Sequence, residues 1–228
     1  MPKKRKAVRG RDSANRAPLS REQVLRAAVD LADEGGLETL SMRELGRRLG
    51  VEAMSLYNHV ANKDDVLDGM VDLVVGEIEL PVLEADWRES MRRRAVSALT
   101  AFGRHPWATA IIDSRVRGGS GRLRYFEAVI RVLRRAGFTT ELAARAFSLF
   151  DSYIYGFCRQ SLSIASAESG NADTAEAFLR ALPASEYPYL AEMAAMQAAK
   201  PGYDEESDFE FGLNLLLNAL QGVLDAGS

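Results

Sequence analysis

Apolar residues recur every three or four positions along nearly the whole chain after residue 20, and no stretch alternates as a half-buried strand requires. Val24, Ala28 and Leu31 mark a first helix over residues 20–34, with Ser20 as its cap and Gly35-Gly36 as its stop. Met42, Leu45 and Leu49 mark a second. Ser41 is placed to cap it, Glu44 to complete a capping box, and Gly50 to end it in a left-handed turn. Val51, Leu56 and Val60 are the inward side of a third, and a fourth follows at once over residues 63–79 through Val66, Leu67, Met70 and Val74. Pro81 closes it, and residues 80–85 form the expected junction between domains.

The larger remainder is also helical. Asp86 caps a helix to Gly103, Pro106 opens a short successor, and residues 118–121 are a loop. Leu123, Phe126, Ile130 and Leu133 form a stripe that leaves Arg122, Arg124, Arg131 and Arg134 largely outside. A longer helix starts at Thr140 and runs through Phe147, Phe150, Ile154 and Phe157. Residues 166–173 are polar and predict a mobile break. Further helix over 174–199 is interrupted near Pro183 and Pro188, and a last helix spans 205–226. The pattern predicts an all-α fold, with a helix-turn-helix domain over residues 19–80 and an antiparallel helical bundle over 81–228. Residues 1–18 precede both as a basic, disordered arm.

Two helices at a steep angle across a tight turn can place the second in the DNA major groove. Glu52, Ala53, Met54 and Ser55 lie at the leading end of that helix. Glu52 can accept from a cytosine amine, while Ala53 and Met54 can pack on thymine methyls. Tyr57, Asn58, His59 and Lys63 are placed to meet phosphates, with Ser41 at the start of the preceding helix. For His59 a second role stays open, that of a neutral, hydrogen-bonded brace of the turn. The stretch SREQVLRAAVDLADEGGLETLSMRELGRRLGV, then SLYNHVANKDDVLD, resembles the N-terminal domain of TetR-type (tetracycline-repressor-like) bacterial regulators over residues 20–76. RHPWATAII and YIYGF resemble, more loosely, the ligand-binding domain of the tetracycline-repressor branch. The resemblance implies that Arg43 takes guanine O6 and N7 in two bonds. It also implies dimerisation through the last helix and one earlier long helix.

Charge sharpens the division. Residues 1–63 carry 13 Lys and Arg against 8 Asp and Glu, while the whole chain has a net charge of −3, so the remainder is acidic. A basic end beside a helix-turn-helix suits phosphate neutralisation. The arm itself, with Lys3, Lys4, Arg5, Lys6, Arg9, Arg11 and Arg16, fits three roles: contact with DNA, a solvated tail, or, through PKKRK, nuclear import. The single Cys158 excludes an intramolecular disulfide framework and fits a reducing cytoplasm, the expected location. No run is apolar enough to span a bilayer. Two histidines, one cysteine and no glycine-rich nucleotide loop give a poor inventory for catalysis, so no enzyme, cofactor or metal site is expected.

Phe102, His105, Trp107, Ile111, Phe126, Phe147, Phe150, Tyr153, Phe157 and Met193, with Tyr155 and Tyr187, are candidates to line an effector cavity between helices. Each is equally at home as plain core. The last helix, with Phe209, Phe211, Leu213, Leu215, Leu216, Leu217, Leu220, Val223 and Leu224, is apolar on more than one face, which fits a dimer contact or a central core helix. The expected function is that of a homodimeric repressor that binds a palindromic DNA operator and is released by a small, mainly apolar or aromatic effector. A helical adaptor docking an acidic protein partner, and a DNA-binding activator, are the alternatives.

Overall fold

A computed structural model describes residues 18–83, 85–115, 119–180, 183–199 and 205–227, with backbone alone at 113, 162–180, 197–199 and 205. The basic arm, apart from Pro18, lies outside the described residues. Among them the fold is all-helical: α1 (Arg21–Gly35), α2 (Met42–Leu49), α3 (Ala53–Leu56), α4 (Lys63–Gly76), α5 (Trp87–Arg104), α6 (Ala108–Ile111), α7 (Ser120–Arg135), α8 (Thr140–Arg180), α9 (Pro188–Ala199) and α10 (Glu205–Ala226).

Local chemistry explains the N-terminal helices. Ser20 Oγ accepts from the Gln23 amide at 3.2 Å and Gln23 Oε1 accepts from the Ser20 amide at 2.9 Å, a complete capping box. At α2 only half of the expected box forms. Ser41 Oγ accepts from the Glu44 amide, but the Glu44 carboxylate turns to Arg47, where a charge-assisted bond replaces a bond to a neutral amide. Gly50 ends α2 at φ 66°. Its amide donates to Arg47 O and the Val51 amide to Gly46 O, which satisfies two orphan carbonyls. Gly46 is needed for a separate reason: a Cβ there would stand 2.9 Å from the Val51 carbonyl oxygen, so any side chain would push α2 away from the turn.

Helix α4 joins the two ends of the molecule. It has seven buried residues in fourteen, Val66, Leu67, Gly69, Met70, Val71, Val74 and Val75, because α1 packs on one side and α7 on the other. The buried side chains of α1–α5, α7, α8 and α10 form one continuous apolar cluster. Asp72 of α4 also caps α7, accepting from the Arg122 amide at 2.8 Å and the Gly121 amide at 3.2 Å. The fourth helix stops at Gly76 rather than at residue 79, and Ile78 beyond it is still buried.

Deeper in the bundle α5, α7 and α8 meet around Arg94, which is fully buried. Its Nε donates to Tyr125 Oη at 2.6 Å, its Nη2 pairs with Asp151, and its guanidinium lies over the Tyr125 ring. Tyr155 Oη donates to Asp151 Oδ2 at 3.2 Å. Burial pushes both tyrosine hydroxyls well above their usual range. Burial alone would lower Arg94, but Tyr125 and Asp151 outweigh it and hold the guanidinium charged.

Two expectations need correction. On α7 the inward face is Arg122, Tyr125, Val129, Val132 and Leu133, whereas Leu123 is 63% exposed. The roll of the helix follows the Asp72 cap and the Tyr125–Arg94 bond. Arg122 tolerates burial because its guanidinium donates to the carbonyls of Arg115 and Ile112 and lies over Phe126. The polar stretch 166–173 does not break the chain; α8 continues through it to Arg180. Its Ser, Gly, Asn and Asp residues are weak helix formers but not breakers, and no proline intervenes before Pro183.

Replacing Asp151 by Asn leaves the buried Arg94 charge uncompensated and is expected to cost about 3–5 kcal/mol in urea unfolding. Arg145→Ala, which breaks an exposed pair with Glu141, is expected to change stability by less than about 0.5 kcal/mol. Equal effects from the two variants would contradict a buried ionic centre.

Candidate DNA-binding interface and effector cavity

The helix-turn-helix is anchored from beneath by Leu40, Leu45, Leu56 and Val60, all buried. Those anchors fix what points outward. Met54 is 73% and Tyr57 45% exposed, on the side opposite those anchors. Arg43, Glu52, Asn58 and Lys63 are exposed, while Ala53, Ser55 and His59 are half-buried. Ser41 is exposed, with its hydroxyl engaged in the α2 cap. Regular α3 is only one turn long. After it, Tyr57, Asn58 and His59 tighten into bonds from amide to carbonyl three residues back, ending with the His59 amide to Leu56 O at 2.9 Å. Lys63 Nζ donates one proton to Leu40 O at 2.7 Å, which aims the start of α4 at the same surface.

A brace that sequence spacing does not disclose ties this surface to α1. Arg21 meets both oxygens of Asp65 at 2.6 and 2.7 Å and also donates to His59 O at 3.3 Å. Asp65 Oδ2 accepts in addition from the Ala61 amide, and the Asp65 amide donates to the Asn62 cap. The Arg21 bonds hold the Asp65 carboxyl below the usual carboxylate range. The partners are 44 residues apart, one in each quoted stretch, so spacing alone does not pair them.

The candidates for an effector pocket do not converge. Phe102 and Phe150 are fully buried core. Tyr153 and Phe157 stack around Phe209 of α10, and Ile111 is half-buried. Met193 and Tyr187 are exposed. His105 and Trp107 serve a junction: His105 Nδ1 lies 2.9 Å from Asp33 of α1, its Nε2 3.3 Å from Glu77 just past α4, and Trp107 Nε1 donates to Asp33 at 2.7 Å. Phe126, Phe147 and Tyr155 do share a cavity of about 420 Å³ between α7, α8 and the segment after α6. Its wall includes Arg115, Arg122 and Arg159, a cationic contribution that a search for aromatic periodicity misses. Among the described residues no cluster of three metal-ligating side chains occurs. No helix among them is long and apolar enough to cross a membrane.

Asp65 supplies a pH test of the α1–α4 brace. Its carboxyl titrates lower folded than unfolded, so the stabilisation is full at neutral pH and is lost as pH falls through the folded value. Asp65→Asn is expected to cost about 1–2 kcal/mol at pH 7, allowing for screening of the half-exposed Arg21. That gap should close as pH drops below about 4. A gap independent of pH in denaturant titrations would rule out the ion pair as its source.

Known proteins carry the same architecture. The family described as "Bacterial regulatory proteins, tetR family" matches residues 24–70, and "Tetracyclin repressor-like, C-terminal domain" matches residues 80–224. The HTH-type transcriptional repressor DrrR1 of Streptomyces coeruleorubidus is 33% identical over 89% of this chain and 77% of its own length. The class A tetracycline repressor of Escherichia coli is 29% identical over 89% of this chain and 90% of its own. Among solved structures, ActR of Streptomyces coelicolor in complex with actinorhodin superposes with a TM-score of 0.78 at 30% identity, over 91% of this chain and 99% of that one. The exposed helix-turn-helix surface, the bundle joined to it through α4 and these matches together identify the chain as a member of the TetR family of transcriptional regulators.

Proposed function

We propose that this regulator is a homodimeric repressor acting in the cytoplasm, which holds a palindromic operator and releases it when a small molecule occupies the bundle. The observation that carries the reading is the placement of α4. One of its sides packs against α1, which in turn packs against α2 of the helix-turn-helix, and the other packs against α7, a wall of the 420 Å³ cavity. Anything that moves α7 therefore acts on α4 through the Asp72 cap and the packed side chains between them.

Within the DNA-binding domain, residues 19–80, Arg43 together with Glu52, Ala53, Met54 and Ser55 meets base edges. Tyr57, Asn58, His59 and Lys63 meet phosphates. Dimerisation is supported by α10, whose Phe209, Leu213, Leu217 and Leu220 are buried in the bundle while Phe211, Leu215 and Val223 remain 68%, 55% and 52% exposed. Leu149 of α8 is likewise exposed, so α8 and α10 offer a second apolar face that a copy of the chain would cover. Two-fold symmetry would set the recognition helices one DNA turn apart, roughly 34–36 Å. The effector reading is supported by the likeness to ActR, whose structure holds actinorhodin.

Selection of bound fragments from genomic DNA is expected to return a palindrome. Gel-shift titration should then show one dimer per site, with affinity falling steeply with salt. Tyr57→Ala is expected to weaken binding at least about tenfold, the loss of one well-packed DNA contact. Weak binding without sequence preference, unchanged by Tyr57→Ala, would refute the reading.

A further inference from the structure

Among the described residues, two of the cavity's three arginines, Arg122 and Arg159, have no carboxylate partner. Asp151 is the only carboxylate among the described lining residues, and the buried Arg94 already pairs with it. Arg122 is 7% exposed; among the described residues its guanidinium meets only the carbonyls of Arg115 and Ile112 and the Phe126 ring, and its Nε has no partner. Carbonyl dipoles solvate a cation without cancelling its charge. Arg159 lines the same cavity from α8, on the exposed side of that helix. Arg115 also lines it. Its Nη1 stands 2.8 Å from Asp64 and 3.6 Å from Asp68 of α4, and its buried Nε is unpartnered. Phe126 and Phe147 meet edge to face, with centroids 5.2 Å apart, and give the same cavity an aromatic wall.

We propose that the cavity takes an aromatic acid in its anionic form, with the ring system against Phe126 and Phe147 and the acid group on Arg122 and Arg159. The proposal rests on the reading of this cavity as the effector site and names its ligand class. A guanidinium presents several donors in a plane and matches an acid group in two bonds, most strongly where water is excluded. A buried cation lacking a counter-charge gains more from such a ligand than from a neutral one of equal shape. The acid also competes with Asp64 and Asp68 for Arg115, so binding loosens a tie between the cavity and the first turn of α4. That competition connects ligand charge to the DNA-binding end.

Two fluorescent probes with one carbon skeleton make the test, 1-anilinonaphthalene-8-sulfonate and the uncharged N-phenyl-1-naphthylamine, titrated into the full chain. The sulfonate is expected to bind at least about tenfold more tightly. Arg159→Gln should remove most of that preference and leave the neutral probe within about twofold, because only the charge contact is lost. Arg122→Gln should do the same. It also surrenders two carbonyl bonds, so Arg159→Gln decides the matter if Arg122→Gln does not fold. Ser148→Trp, which fills the cavity mouth, should abolish both probes. Equal affinity for the two probes, or a sulfonate preference that survives Arg159→Gln or Ser148→Trp, would overturn the proposal while leaving a neutral effector possible. A third arm adds the sulfonate to the complex with the selected duplex. Arginine-dependent binding without release of the duplex would uphold the anion site and refute the effector reading of the cavity.

Discussion

Helix α4 buries seven of its fourteen residues against two neighbouring helices at once, and this constraint organises the molecule. Its apolar side chains are divided between α1, which carries the helix-turn-helix, and α7, which lines the cavity. A helix buried on two sides cannot tilt without repacking both, because protein interiors are as dense as organic crystals and shift between discrete arrangements. The polar ties reinforce this coupling. Arg21 clamps the start of α4 through Asp65, Asp72 caps α7 from its middle, and His105 bridges Asp33 of α1 with Glu77 just past its end.

This arrangement gives ligand control an economical physical basis. An effector changes DNA affinity only to the extent that it binds two arrangements of the protein unequally. The cavity stands beside Arg115 and Arg122, one paired with carboxylates of α4 and the other next to the Asp72 cap. A ligand there touches the residues that hold α4 in place. The buried Arg94–Asp151–Tyr125–Tyr155 centre has a different part. It fixes α5, α7 and α8 relative to one another, so the cavity has a rigid back wall against which a ligand can push.

Much of this was legible in the sequence because it rests on local chemistry. Ser20, Ser41 and Asp86 cap helices, Gly50 supplies a left-handed turn, and the apolar periods of α1 and α4 mark their buried faces. The exposed Met54 and Tyr57 follow from the burial of Leu56 and Val60 on the opposite side of one turn. What periodicity did not disclose depends on partners distant in the chain. The roll of α7 is set by Asp72, fifty residues earlier, so Arg122 turns inward and Leu123 outward. His105 belongs to the junction rather than the cavity because Asp33, 72 residues away, holds it. Aromatic spacing located Phe126 and Phe147 but could not distinguish a cavity wall from the solid core that Phe102 and Phe150 occupy.

The proposed coupling makes cavity and DNA-binding surface one mechanical unit through α4. It is tested most directly by the distance between the two helix-turn-helix units of a dimer, measured by pulsed dipolar spectroscopy. A spin label at Glu38→Cys, in a Cys158→Ser background, reports from the exposed segment between α1 and α2. With operator duplex one narrow distance distribution is expected. Saturating the cavity with 1-anilinonaphthalene-8-sulfonate should shift it to a different one as the duplex dissociates. A distribution that stays the same with duplex and with ligand, while the duplex is nevertheless released, would contradict coupling through α4.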